Sequence, residues 1–129
     1  MIGIDTNVLL RFYEKEDPEQ YERAGRAIRD HAPVFVSDIV LVEFVWVCRS
    51  IFKLDRGAIH RRLDAIVNAE EFEFARRGAV ERAIEGYGSV KSDFADRLIG
   101  ETNREAGCET TLKFDVGAAE SGAFSLVAR

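Results

Sequence analysis

The chain opens MIGIDTNVLLRFY, and the alternation of apolar and polar positions in that stretch sets the pattern for the remaining elements. Met1 to Ile4 form an apolar run too short for a helix and suited to a buried parallel strand, and Asp5 ends it. Thr6 and Asn7 are residue types that bond local backbone or cap a helix, and Val8, Leu9, Leu10 and Phe12 then make a helical stripe. The expected order is strand, acid, helix. Two uses are open to Asp5: capping the helix, or facing the crevice at the carboxyl end of a parallel strand in an open α/β sheet.

Asp17, Pro18 and Gln20 predict the next helix start, and Tyr21, Ala24, Ala27 and Ile28 carry it to His31, Ala32 and Pro33. VFVS (34–37) is expected as a second buried strand. Asp38 begins the most apolar helix, running to about Phe52, with Glu43 in its middle. Flanked by Leu41, Val42, Phe44 and Val45, an ionised Glu43 needs an exit to water, a cationic partner or a metal. Trp46, on the same helix, is expected in the core. Asp55 caps a further helix with Ile59, Leu63, Ile66 and Val67 inward, and EFEFA (71–75) alternates as a weak strand near a sheet edge.

Val80, Ala83, Ile84 and Tyr87 mark a helix ending at Gly86 to Gly88, and Ser92 is expected to cap the helix that begins DFAD. Asp93 and Asp96 lie three apart at its start, so both carboxylates are expected on one face. First-turn acids complement the helix dipole, which accounts for Asp93 better than for Asp96, beside the stripe of Phe94, Leu98 and Ile99. Gly107 ends this helix, TTLKF (110–114) reads as a strand, and Asp115 follows it directly, as Asp5 follows Ile4. Val116 to Gly122 reads as a turn or short helix and AFSLVA (123–128) as a last strand. With no repeats or linkers, residues 1–129 are expected to be a single domain.

Composition narrows the class. With 129 residues, 47% apolar and 32% charged, the chain can bury a core without staples. Cys48 and Cys108 lack ligand spacing and read as reduced packing residues. No long apolar run and no leading basic stretch occur, so a cytoplasmic protein without membrane span or signal peptide is expected. A net charge of -5 argues against a generic nucleic-acid coat, yet suits an enzyme whose acids hold metal. Arg23, Arg26 and Arg29, and Arg61 and Arg62, read either as solvated surface or as phosphate contacts.

If the strands lie parallel and side by side, Asp5, Glu43, Asp93, Asp96 and Asp115 converge on one crevice. Such carboxylates repel one another unless a cation sits among them. Oxygen donors without histidine or thiolate select magnesium or manganese, and His31 and His60 read as surface residues. No serine–histidine pairing or glycine-rich phosphate loop appears, which argues against covalent acyl chemistry and nucleoside triphosphate binding. The chemistry such a site serves best is phosphoryl transfer to water. A phosphatase or receiver-like site using Asp5 as nucleophile would want a second Asp at position 7, which is Asn.

Taken together, IDTNVLLR at the start, VSDIVLVEFVWV near residue 40, SDFADRLIG near residue 95 and LKFD near residue 115 resemble the successive motifs of the PIN domain. The likeness is closest to VapC toxins of prokaryotic toxin-antitoxin pairs. Carried over by position, the four family acids fall on Asp5, Glu43, Asp96 and Asp115; Asp93 matches an additional acid, and Asn7 the residue that orients the first. The resemblance implies a three-layer α/β/α sandwich with a mainly parallel central sheet. It further implies a Mg²⁺ or Mn²⁺ site, endoribonuclease activity on RNA leaving a 5′ phosphate, and a cognate antitoxin. The family usually has Thr or Ser two residues before the fourth acid, where this chain has Lys113, placed to bridge Asp115 or meet a substrate phosphate. A second reading is a catalytically weak partner-docking module, in which the helix bearing Phe44, Trp46 and Phe52 serves as a homodimer seam or an antitoxin groove.

Overall fold

The computed structural model describes residues 1–89, 92–114 and 124–127, so the expectations for Asp115 and for 116–122 lie outside the described residues. The chain divides into two compact units, Met1–Arg77 and Gly78–Arg129. It is an α/β fold whose described strands all pair in parallel. No described helix is long and apolar enough to cross a membrane.

In the first unit, β1 (Ile2–Gly3), β2 (Val34–Phe35) and β3 (Phe72–Glu73) form a sheet in that order. The register sets Ile2 beside Val34 and Val34 beside Phe72. The alternating glutamates that marked 71–75 as an edge are found there, β3 forming one side of this sheet. Parallel neighbours need long crossovers, supplied by α1 (Thr6–Tyr13) and α2 (Pro18–His31), then by α3 (Asp38–Ser50) and α4 (Arg56–Asn68).

All four helices begin with a side-chain cap. Asp5 accepts from the Val8 N–H, Asp17 from Gln20, Ser37 from Val40 and Asp55 from Ala58, at 2.8 to 3.3 Å. Each such cap contributes about 1 kcal/mol by satisfying a backbone donor that the helix leaves unpaired.

Leu9, Ile28, Val36, Leu63, Ile66 and Phe72 are buried, as their helical and strand patterns require, and Leu41 and Phe44 join them from the apolar α3. Phe12 packs edge-on against Phe72, and Tyr13 edge-on against Phe44, which seats α1. Arg77 donates to the carbonyls of Val67 and Phe72, tying the end of α4 to β3.

Trp46 departs from expectation. It is 53% exposed, and Ile39 on the same face is 72% exposed, while Leu41, Phe44, Val45 and Cys48 take the inward face. The helix is apolar all round, so one ridge of large groups stays outside. Glu43 lies on that outer ridge and is itself exposed, so its exit to water is met.

The second unit contains α5 (Arg77–Ser89), which begins at the last residue of the first, α6 (Phe94–Glu105), β4 (Thr111–Lys113) and β5 (Phe124–Leu126). The two strands pair in parallel with Thr111 beside Phe124 and Lys113 beside Leu126. Val80, Ala83, Ile84, Tyr87, Phe94 and Leu98 are buried, with Tyr87 edge-on to Phe94. Asn103 Nδ2 donates to Thr111 Oγ1 at 2.9 Å, linking α6 to β4. Gly107, at φ +98°, follows α6 in the left-handed conformation that glycine adopts without steric cost.

Two expectations are corrected within the second unit. Asp93, not Ser92, is the N-cap residue of α6, and the Ser92 hydroxyl accepts a 2.6 Å bond from Arg97 Nε. Cys48 is buried and reduced as expected, whereas Cys108, just past the end of α6, is reduced but exposed and does not pack.

Candidate functional site

In the first unit, Asp5 leaves the carboxyl end of β1 and caps α1, so the two uses that the sequence left open are one geometry. The cap bond uses one carboxylate oxygen, Oδ1, at 3.0 Å from the Val8 nitrogen. The neighbouring Thr6 hydroxyl donates to Glu43 Oε1 at 2.7 Å, and this bond joins the start of α1 to the middle of α3. Asp5 and Glu43 are thus presented by helices that pack on one another, each with one oxygen held.

A recess of about 400 Å³ beside Asp5 is lined by Gly3, Ile4, Val8, Ala27 and His31. His31 is exposed, as expected of a surface residue, yet it shares this recess with Asp5. A second recess of about 380 Å³ between α1 and α2 is lined by Asn7, Arg11, Gln20 and Arg23. Arg11 Nε is buried there without a hydrogen-bond partner.

Of the arginines read as surface or phosphate contacts, Arg23 and Arg26 pair with Glu19 and Glu22 one turn earlier on the exposed face of α2. Arg62 turns inward, its guanidinium 2.6 Å from Glu14 and 3.6 Å from Cys48 Sγ. Burial pushes the Cys48 thiol above its ordinary pKa, with Arg62 working against that rise.

Sequence reasoning passed over Asp38, taking it only as the first residue of a helix. Its Oδ1 is buried and has no hydrogen-bond partner. The signal was present in the pattern, since VFVSD sends Asp38 off the end of β2 much as MIGID sends Asp5 off the end of β1.

In the second unit, Asp93 sits in extended backbone before α6, and Asp96 alone falls in the helical first turn. The two acids stand three apart at the start of α6, Asp93 at the N-cap and Asp96 within the first turn. Asp96 Oδ2 is held by Lys113 Nζ at 2.6 Å, and both side chains are largely shielded, at 26% and 21% exposure. Lys113 was expected to bridge Asp115 or meet phosphate; its described partner is Asp96.

Among the described residues, no three carboxylate, imidazole or thiolate groups stand close enough to share one ion. The donors nevertheless fit a hard divalent cation. They are carboxylate oxygens; within the first unit Asp38 carries a buried oxygen with no partner, and within the second Asp96 already holds a positive charge in the form of an ammonium.

Comparison with known proteins agrees with the four motifs. The chain is 26% identical over 114 residues to a VapC ribonuclease of Aquifex aeolicus (strain VF5), covering 86% of this chain and 84% of that protein. The PIN domain family pattern matches residues 2–120, which take in Asp5, Glu43, Asp93, Asp96 and Asp115. With the family's sequence pattern running through nearly the whole chain and parallel α/β architecture in its folded units, the chain belongs to the PIN domain family.

Proposed function

We propose that residues 1–129 form a single PIN nuclease domain, a Mg²⁺- or Mn²⁺-dependent endoribonuclease that hydrolyses RNA phosphodiester bonds as the toxin of a type II toxin-antitoxin pair. One observation carries this reading: the PIN domain family match runs over residues 2–120, a span that contains every candidate acid. The likeness to the Aquifex VapC ribonuclease supports it.

Asp5 and Asp96 would hold the principal metal, with Glu43 a further ligand or a base acting through water; Asp93 and Asp115 would serve a second position. When bound, the metal supplies a more acidic attacking water and charge to steady the phosphate. The chain's own part is to aim the acids. The α1 cap fixes the carboxylate of Asp5, and the Thr6 hydroxyl restricts Glu43. Arg11 and Arg23 beside Asn7 offer positive charge to a substrate phosphate. A cytoplasmic location and a cognate antitoxin accompany this reading.

The test is cleavage of a labelled total tRNA pool with Mn²⁺, with chelator, and by Asp96→Asn. Discrete 5′-phosphorylated fragments that vanish in the last two arms are the expected result. Fragments that persist in both would overturn the assignment.

The exposed Ile39 and Trp46 ridge favours a second role, a homodimer seam or partner-docking surface. A chain whose whole role is docking, with catalysis weak, need not bind Mn²⁺ measurably, so metal titration separates the two readings.

A further inference from the structure

Lys113 ends β4, and its main chain is fixed by the Val127 N–H, which donates to the Lys113 carbonyl at 2.8 Å. Its ammonium lies 5.4 Å from the centroid of the Phe124 ring and 2.6 Å from Asp96 Oδ2. A strand, an aromatic face and a carboxylate therefore hold the same cation. Asp96 lies in the first turn of α6, where the helix dipole favours a carboxylate, and Lys113 supplies its counter-charge. Shielding on both sides makes this pair stronger than an open surface bridge.

Resting on the reading of Asp96 as a metal ligand, we propose that Lys113 is an internal counter-ion. It occupies the Asp96 carboxylate and must be displaced before a divalent cation binds, and so it sets the metal concentration at which the site loads. The ammonium neutralises Asp96 without metal, which relieves the repulsion that bare acids would suffer. Loading the site then requires the ion pair to be broken and the ammonium returned to water. The cost lowers divalent affinity on the order of tenfold, the size expected of a partly shielded pair.

The experiment is Mn²⁺ titration of the full chain by calorimetry and by the loss of the free-ion electron-spin signal, for wild type, Lys113→Met and Lys113→Arg. Lys113→Met should bind Mn²⁺ about tenfold more tightly, while Lys113→Arg, which keeps a cation at Asp96, should stay near wild type. Lys53→Met removes the same charge from an exposed position and should leave affinity unchanged. If Lys113→Met does not unfold cooperatively on heating, Lys113→Gln takes its place. Equal and measurable binding by wild type and the neutral variant, or weaker binding by the variant, overturns the counter-ion role and leaves the metal site standing. No binding by any form overturns the metal reading and the counter-ion role with it.

Discussion

The Thr6 hydroxyl donates to Glu43 Oε1 at 2.7 Å across 37 residues of chain. Glu43 is exposed and long, so without this bond its carboxylate would sample several rotamers. Thr6→Val should lower the rate of RNA cleavage about tenfold while changing stability by less than about 0.5 kcal/mol, because the pair lies in contact with water. Thr6→Ser keeps the donor and should keep most of the rate. Cleavage by Thr6→Val at the wild-type rate would separate Glu43 orientation from the chemistry.

The cap made by Asp5 and its proposed part in cleavage are roles that substitution can separate. Asparagine caps a helix about as well as aspartate, so Asp5→Asn should unfold in urea at nearly the wild-type midpoint and yet fail to cleave RNA. Asp5→Ala should fail to cleave and also lose about 1 kcal/mol, since the Val8 N–H then lacks its acceptor. An Asp5→Asn protein with full activity would leave this residue a cap alone.

Tyr13 gives the fold a measurable alkaline limit. Burial, and then the charge of Glu71, raise its pKa from 10.0 to about 12, with Arg62 opposing. The folded state therefore favours the neutral phenol. Its contribution to stability is whole below pH 10 and is lost as pH climbs from there through about 12, where the folded form also ionises. The urea midpoint of the wild type should fall more steeply across that window than the midpoint of Tyr13→Phe, which keeps the ring contact with Phe44. Parallel curves for the two proteins would assign the alkaline loss to other groups.

Ile39 and Trp46 offer a test of association. As both are exposed, Ile39→Ser with Trp46→Ser should shift the thermal midpoint little. In sedimentation, the wild type is expected as a dimer and the double variant as a monomer. A wild type that sediments as a monomer at all concentrations would leave the ridge without a role in self-association.

Local signals in the sequence led directly to the helix starts at Asp17 and Asp55, since a cap and its backbone donor lie three residues apart. The strands at the start and at 34–35 were legible from short apolar runs ending in polar residues and that at 72–73 from its alternation, whereas their parallel pairing entered only as a condition. What stayed hidden was long-range. Arg97 bonds Ser92, Thr6 reaches Glu43, and Lys113 reaches Asp96. Trp46 was misplaced for a different reason: a helix apolar on every side has no periodicity to say which face goes inward. The unpartnered oxygen of Asp38 was hidden because a first-turn acid has a sufficient ordinary explanation.

A methyl group added at Gly86 would lie 3.1 Å from Arg97 Cδ and 3.3 Å from Arg97 Nε. That nitrogen is the one bonded to Ser92, next to Asp93. The Arg97 side chain must therefore give by a few tenths of an ångström before position 86 can carry even a methyl group, and that shift is felt at the Ser92 hydroxyl that leads into α6.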